Sequence, residues 1–286
     1  MLFLIGTCIV ISCVIGGYMA GGGHLIVLYQ PFEVLIIVGA AIGAFVISNP
    51  KTVLVKVAMG MGDLLKGRSY NKAAYLELLV MMFAIFKMAR TKGVLALEGH
   101  VEDPDNSTLF AKFPIFNKNH EARVFFCDYL RLVTMGTNSP HQLEDLMDKE
   151  LESHHNEMHE VAAAVNNIAD GMPALGIVAA VLGVIHTMGS ITEPPEVLGH
   201  LIGGALVGTF MGVLLSYGFV APMGQSLDKI YQSDGRYIET IKVGLLAFMH
   251  GHAPQIAVEF ARKNIFHDSR PSFYEVEEAI ATAPTE

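Results

Sequence analysis

Four long stretches of this chain are almost entirely apolar, and they set the first expectation about its fold. Each has roughly 20 residues, enough for an α-helix to cross a hydrocarbon layer about 30 Å thick. The stretches run near residues 2–20, 31–50, 171–191 and 197–220. The pattern predicts an all-α, polytopic membrane protein with four transmembrane helices. No basic region precedes the first stretch, which favours a retained span over a cleaved signal peptide.

Short connections join the spans in pairs. Residues 21–24, Gly-Gly-Gly-His, separate the first two spans, and residues 192–196, Thr-Glu-Pro-Pro-Glu, separate the last two. Each pair is therefore expected to form a helical hairpin. Of the 19 Lys and Arg residues, 13 lie from Lys51 to Lys149 and six from Lys229 to Arg270. Because basic residues near spans stay in the cytoplasm, both termini are expected on the cytoplasmic side of the membrane.

These boundaries predict four regions. Residues 1–50 and 171–222 are the two transmembrane hairpins, residues 51–170 are a helical cytoplasmic domain, and residues 223–286 are a cytoplasmic C-terminal helix and tail.

Within the cytoplasmic domain, apolar residues recur at helical spacing, and no strand hairpin is expected. Ser139 followed by Pro140 and, three residues after the serine, Gln142 is a typical helix start, which predicts a long helix running from there toward the third span. The last dozen residues show no such pattern and are expected to be disordered.

Composition narrows the class of protein. The chain is 52% hydrophobic and only 16% charged, with a formal net charge of −9, which argues against a soluble enzyme and against a nucleic-acid partner. Cys8, Cys13 and Cys127 have neither a CxxC nor a metal-ligand spacing, so no disulfide framework is expected.

Titratable side chains are scarce in the spans. Glu33 and Asp170 lie at span ends, His186 and Asp170 are the titratable residues in or near the third span, and His200 lies near the start of the fourth. Intramembrane ionisable groups are functional candidates, but end positions weaken that inference because water is close. Nothing in the chain resembles a carboxylate relay in the middle of the membrane.

The third and fourth spans each carry a stripe of small residues on one helix face. The stripes consist of Ala169, Pro173, Gly176, Ala180, Gly183 and Thr187 in the third span, and of Ala205, Gly208, Thr209, Gly212 and Ser216 in the fourth. Small faces allow close helix packing within a bundle, and they also form narrow passages facing another protein's helix. Both interpretations remain open from the sequence.

Two prolines interrupt these spans. Pro173 has no N–H, so it leaves the carbonyl of Ala169 without its helical donor. Such a carbonyl can bond an ion, a water or a partner, although a proline near a helix entry is more often only a kink. Pro222 closes the fourth span, and its simpler interpretation is a helix terminator.

Two polar segments outside the spans are candidates for function. A basic run, residues 87–93, is followed by the acidic Glu98, but charged runs are usually a solvated face. His155 and His159 lie four residues apart on one helix face, a spacing that metal ligands use, yet the order is not HExxH and no third ligand is evident. No metal site is therefore predicted.

Several motifs together resemble the MotA family of flagellar stator subunits, over nearly the whole chain. They are Met88-Ala89-Arg90 through Leu97-Glu98-Gly99-His100-Val101-Glu102, Ala169-Asp170-Gly171-Met172-Pro173-Ala174-Leu175-Gly176 with Val181-Leu182-Gly183-Val184-Ile185, Leu206-Val207-Gly208-Thr209-Phe210 through Tyr217-Gly218, and Pro222. Energisers of outer-membrane systems of the ExbB and TolQ type share part of this pattern and are the alternative. The cytoplasmic segment from Arg90 to Glu98 resembles the stator subunits specifically.

The resemblance implies a homopentamer, embedded in inner-membrane lipid, around a dimer of the partner MotB. A transmembrane Asp of the partner would carry the ion, which would account for the scarcity of carboxylates here. It further implies no enzymatic activity and no cofactor.

By the same resemblance, Pro173 and Pro222 match the two family prolines, of which the first couples ion binding to ring movement, and Thr209 matches a hydroxyl facing the partner's Asp. Arg90 and Glu98 match the charged pair that meets the rotor protein FliG. Sodium-driven relatives have a hydroxyl where this chain has Ala180, so protons are the expected ion.

Overall fold

A computed structural model describes residues 2–67, 70–136 and 139–282 of this chain. Every regular element in these ranges is helical, and none of the residues described is in a β-strand. The described residues up to Gly67, together with Glu157–Ile230, form one compact unit. Those from Tyr70 to Asn156, together with those from Tyr231 onward, form a second.

The first unit begins with the N-terminal apolar helices. They are α1 (Leu2–Ala20), the single turn α2 (Leu25–Leu28), α3 (Pro31–Ser48) and the more polar α4 (Lys51–Lys66). Gly22 allows the chain to turn after α1, because its φ of +86° is a conformation that residues with a side chain rarely adopt. Pro31 begins α3, where its missing N–H costs no helical hydrogen bond.

The predicted long helix is confirmed. Helix α9 runs over 49 residues, Pro140–Met188, and contains Pro173 in its interior. After the turn, α10 (Pro195–Leu215) continues through a π-helical segment, Ser216–Val220, into α11 (Ala221–Met249). The described residues thus contain four helices long and apolar enough to cross a membrane, which confirms the predicted all-α, four-span fold.

The interpretation of Pro222 as a helix terminator is wrong, because the helix continues for more than 20 residues beyond it. A proline inside an α-helix lacks one donor, and its ring presses on the carbonyl four residues earlier. Here the π-helical segment ends two residues before the proline, and the N–H of Ala221 donates to the carbonyl of Ser216, five residues back. The wider turn accommodates the proline without ending the helix.

The second unit is a helical domain built around α5 (Lys72–Lys92), which is buried on almost all sides. It also contains the short helices α6 (Glu98–Glu102) and α7 (Pro114–Lys118), the amphipathic α8 (His120–Thr134), α12 (Pro254–Asn264) and α13 (Phe273–Ala281). Its core is aromatic and includes six fully buried rings, those of Tyr75, Phe86, Phe110, Phe116, Phe126 and Tyr237.

The expectation of a disordered tail is wrong for residues 275–281, which belong to α13, while residues 283–286 lie outside the described ranges. Ser272 and Glu275 form a capping box, in which each backbone N–H donates to the other's side chain. Lys72 of α5 also donates to Glu275, over 2.7 Å. The Ser-x-x-Glu pattern was readable in the sequence. It lies just before the Ala-Thr-Ala-Pro-Thr-Glu end of the chain, on which the expectation of disorder rests.

Candidate functional site: the contact between the third and fourth spans

Four glycines bring α9 and α10 into backbone contact. A Cβ atom added to Gly176 would lie 2.8 Å from the carbonyl oxygen of Gly208, and one added to Gly212 would lie 2.7 Å from the Cα atom of Gly176. Real Cβ atoms essentially never approach so closely. At Gly183 an added Cβ would lie 2.7 Å from the Cβ atom of Ala205. These glycines therefore pack one span of the chain against another, as the packing interpretation of the stripe predicted.

Ala180 and Thr209 lie at the margins of this contact and are only partly buried. The backbone N of Ala180 lies 3.0 Å from the position of a Cβ added to Gly208, so Ala180 adjoins the glycine contact. Among the described residues, the Thr209 hydroxyl has no hydrogen-bond partner, whereas Thr187 donates back to the carbonyl of Gly183 over 2.9 Å. The Thr209 hydroxyl is thus available to another molecule.

The carbonyl freed by Pro173 has a donor within the chain. Ser216 Oγ donates to the carbonyl oxygen of Ala169 over 2.6 Å, and both residues are fully buried. The sequence-based expectation that this carbonyl lacks a helical donor is correct, but the group that bonds it is a side chain of the fourth span. Ser216 was recognised only as a small residue on the stripe. Its hydroxyl lies on the face that meets the third span, and this was the feature of the sequence that could have indicated the bond.

Glu33 is closer to this contact than its position near a helix end suggests. Its Oε2 atom lies 2.8 Å from the position of a Cβ added to Gly208, and its Oε1 atom lies 3.3 Å from one added to Gly183. Oε2 is buried and has no hydrogen-bond partner in the part of the chain that is described. The sequence placed this carboxylate near water, whereas it faces the glycines of the third and fourth spans.

Arg90 and Glu98 lie in the second unit, at the end of α5 and the start of α6, and both are exposed. Gly93 ends α5 with a φ of +86°, and Leu97 is buried in the core, which fixes the turn between them. Arg90 donates to the carbonyl of His252 over 3.2 Å. In the described ranges neither Arg90 nor Glu98 is in an ion pair, so both charges remain available at the surface.

The histidine pair shows no metal-binding arrangement. His159 Nδ1 lies 3.5 Å from Asp228 Oδ1, a contact that becomes an ion pair when the histidine is protonated. Over the residues that the structure describes, no group of three His, Cys, Asp or Glu side chains could hold a metal ion.

Comparisons with known proteins cover nearly the whole chain. The family model described as Motility protein A N-terminal matches residues 4–93, and that of the MotA/TolQ/ExbB proton channel family matches residues 117–239. A curated relative, Motility protein A of Salmonella typhimurium, is 40% identical over 280 residues, which are 98% of this chain and 95% of the relative.

Two solved structures share the fold. The structure of the C. jejuni MotAB complex matches with a TM-score of 0.78 at 20% identity, covering 94% of this chain and 98% of that one. The flagellar MotAB stator complex from Bacillus subtilis matches with a TM-score of 0.70 at 26% identity, covering 90% of this chain and 92% of that one.

Proposed function

Because the chain belongs to the MotA family of flagellar stator subunits, we propose that it forms a proton channel with a MotB-type partner and converts proton flow into torque on the rotor. The observation that carries this proposal is the extent of the similarity, which includes residues 4–93 with Arg90, where the matching model is that of motility proteins. An ExbB-like or TolQ-like energiser would share the membrane helices but would not need the cytoplasmic segment from Arg90 to Glu98.

Five copies of the chain surround a dimer of the partner in this proposal, embedded in inner-membrane lipid with both termini in the cytoplasm. The partner's transmembrane Asp carries the proton. The scarcity of carboxylates supports this division of labour, since Glu33 is the one acidic residue within the four apolar stretches and Asp170 adjoins the third.

Protonation of the partner's Asp removes a charge, which lowers the cost of moving that group through an apolar passage. Thr209 faces the Asp, and its free hydroxyl supports that role. Pro173 converts the change in charge into movement of the subunit, and Pro222, which matches the second family proline, takes part in the same coupling. Transfer of a proton supplies about 2.3 kcal/mol per 100 mV, which suits small sliding steps rather than disruption of a packed core.

The ion is a proton in this proposal because Ala180 presents a methyl group where sodium-driven relatives present a hydroxyl. A hydroxyl there helps to replace the water shell of a sodium ion, and a methyl group cannot.

Torque passes to FliG through Arg90 and Glu98. Their exposure, and the absence of ion pairs at either residue in the described part of the chain, support a contact that forms and breaks repeatedly. Exposed ion pairs are worth only about 0–1 kcal/mol, so such contacts release quickly.

The test is a deletion strain complemented with this chain and its MotB-type partner. Deletion should leave flagella assembled but not rotating, and complemented cells should swim equally well when potassium replaces sodium. A protonophore should stop them. Sodium-dependent swimming would refute the assignment of protons. Normal rotation in the deletion strain, together with defective outer-membrane uptake, would instead favour the energiser.

A further inference from the structure

One hydrogen bond joins the segment before Pro173 in the third span to the π-helical segment at the end of the fourth. Ser216 Oγ donates to the carbonyl oxygen of Ala169 over 2.6 Å, and neither residue is exposed. Ala169 lies four residues before Pro173, so its carbonyl is the one that the proline deprives of a helical donor. The hydroxyl supplies the missing bond, which matters because a fully buried carbonyl is out of reach of water and is costly to leave without a donor.

The acceptor of this bond is unusual for a hydroxyl in an apolar helix, because serine and threonine there commonly donate to the carbonyl one turn earlier in their own helix. Ser48 donates in that way to the carbonyl of Ala44, and Thr187 to the carbonyl of Gly183, each over 2.9 Å. Ser216 donates to a different helix instead.

Two features of the fourth span allow the short serine side chain to reach α9. Gly212, one turn before Ser216, lies in backbone contact with α9 at Gly176. Ser216 is also the first residue of the π-helical segment, and its own carbonyl accepts from Ala221, directly before Pro222. The bond therefore connects the carbonyl freed by Pro173 to the π-helical segment that precedes Pro222.

We infer that Ser216 is a positioning residue for the Pro173 hinge. Its hydroxyl holds the freed Ala169 carbonyl and ties the two proline-containing segments together, so that a change at Pro173 is transmitted to the fourth span. This inference rests on the proposed function for the coupling role of Pro173. The hydrogen bond and its energetic link to Pro173 do not depend on that function.

The first experiment is a double-mutant cycle on the full-length chain, purified with its MotB-type partner. Ser216→Ala should lower the midpoint of thermal unfolding by a few degrees. Pro173→Ala restores a backbone N–H that can bond Ala169, so Ser216→Ala should have a smaller effect in that background. Ser48→Ala serves as the control, since it removes a hydroxyl that bonds within its own helix and should be additive with Pro173→Ala. Additive effects of Ser216→Ala and Pro173→Ala would overturn the inference.

The second experiment measures single-motor rotation at low load. Ser216→Ala should slow rotation at an unchanged number of engaged stators, Ser216→Cys should be intermediate because a thiol is a weak donor, and Ser48→Ala should match the wild type. Wild-type speed for Ser216→Ala would refute the positioning role. If the double-mutant cycle is non-additive but deletion of the gene leaves rotation normal, the proposed function is refuted, while the hydrogen bond between Ser216 and Ala169 and its link to Pro173 stand.

Discussion

Gly212 of the fourth span packs against the backbone of Gly176 in the third, with no room for a side chain on either residue. A Cβ added to Gly212 would lie 2.7 Å from the Gly176 Cα atom and 2.8 Å from the carbonyl oxygen of Met172. Backbone atoms cannot move aside as the end of a flexible side chain can. The close approach of the two helices therefore depends on both glycines.

Gly212→Ala should consequently separate α9 from α10. Overpacking of this kind costs about 1–3 kcal/mol, so the purified complex should unfold at a lower temperature and motility should fall. Gly199→Ala is the matched control, because it lies in the same helix and an added Cβ there would meet nothing within 4 Å. Equal effects of the two substitutions would mean that loss of glycine, rather than the helix contact, is responsible.

The fold could be predicted from the sequence where a local pattern determines it. Apolar length alone identified the four spans, and the Ser139-Pro140 pair identified the start of α9 at Pro140. Close packing was one of two interpretations of the glycine stripe that the sequence left open, and the contact between α9 and α10 supports it.

The rest depended on contacts between distant residues. Ser216 and Ala169 are 47 positions apart, and no local pattern distinguishes a serine that bonds another helix from one that bonds its own. The π-helical segment before Pro222 was missed for a related reason, since the same proline ends some helices and is accommodated within others. The burial of Glu33 Oε2 also required the positions of the third and fourth spans.

The C-terminal helix should depend on Glu275 in a pH-dependent way. Hydrogen bonds from Lys72 and from the N–H of Ser272 lower the pKa of Glu275 from its ordinary value of 4.5 to about 2. A depressed pKa in the folded state contributes stability above the unfolded value, and this contribution is lost as the pH falls from 4.5 toward 2. Glu275→Gln should therefore reduce amide protection in α13 at neutral pH.

Hydrogen exchange of the purified complex measures this effect. The difference between wild type and Glu275→Gln should shrink as the pH is lowered below 4.5. Glu277→Gln, an exposed residue on the same helix, should leave protection unchanged. A difference that stays constant down to pH 3 would contradict the role of the Glu275 charge.

Arg90→Glu should reduce torque while leaving membrane assembly intact. Arg90 is exposed and bonds only the backbone carbonyl of His252 among the described residues, so its reversal should disturb the fold little. Stall torque from bead assays and the amount of membrane-inserted protein should be measured together. A compensating charge change on FliG should restore part of the torque. Lys92→Glu makes the same charge change nearby and should reduce torque less. If no charge change on FliG restores torque to the Arg90→Glu variant, the contact is not electrostatic.

Thr209 provides a test of the channel itself, because its hydroxyl has no partner among the residues described. Thr209→Val keeps the shape of the side chain but removes the hydroxyl, whereas Thr209→Ser keeps the hydroxyl and removes a methyl group. If the hydroxyl bonds the partner's Asp, the valine variant should swim more slowly and the serine variant should stay near wild type. Loss of one hydrogen bond to a charged group is worth about 1.5–3 kcal/mol, a reduction of at least about tenfold in the population of the bonded state.

Swimming speed should be compared at several external pH values, since a group that bonds the ion-carrying carboxylate should shift the pH at which speed falls by half. Equal loss of speed in both variants, with no shift in pH, would show that Thr209 acts through packing.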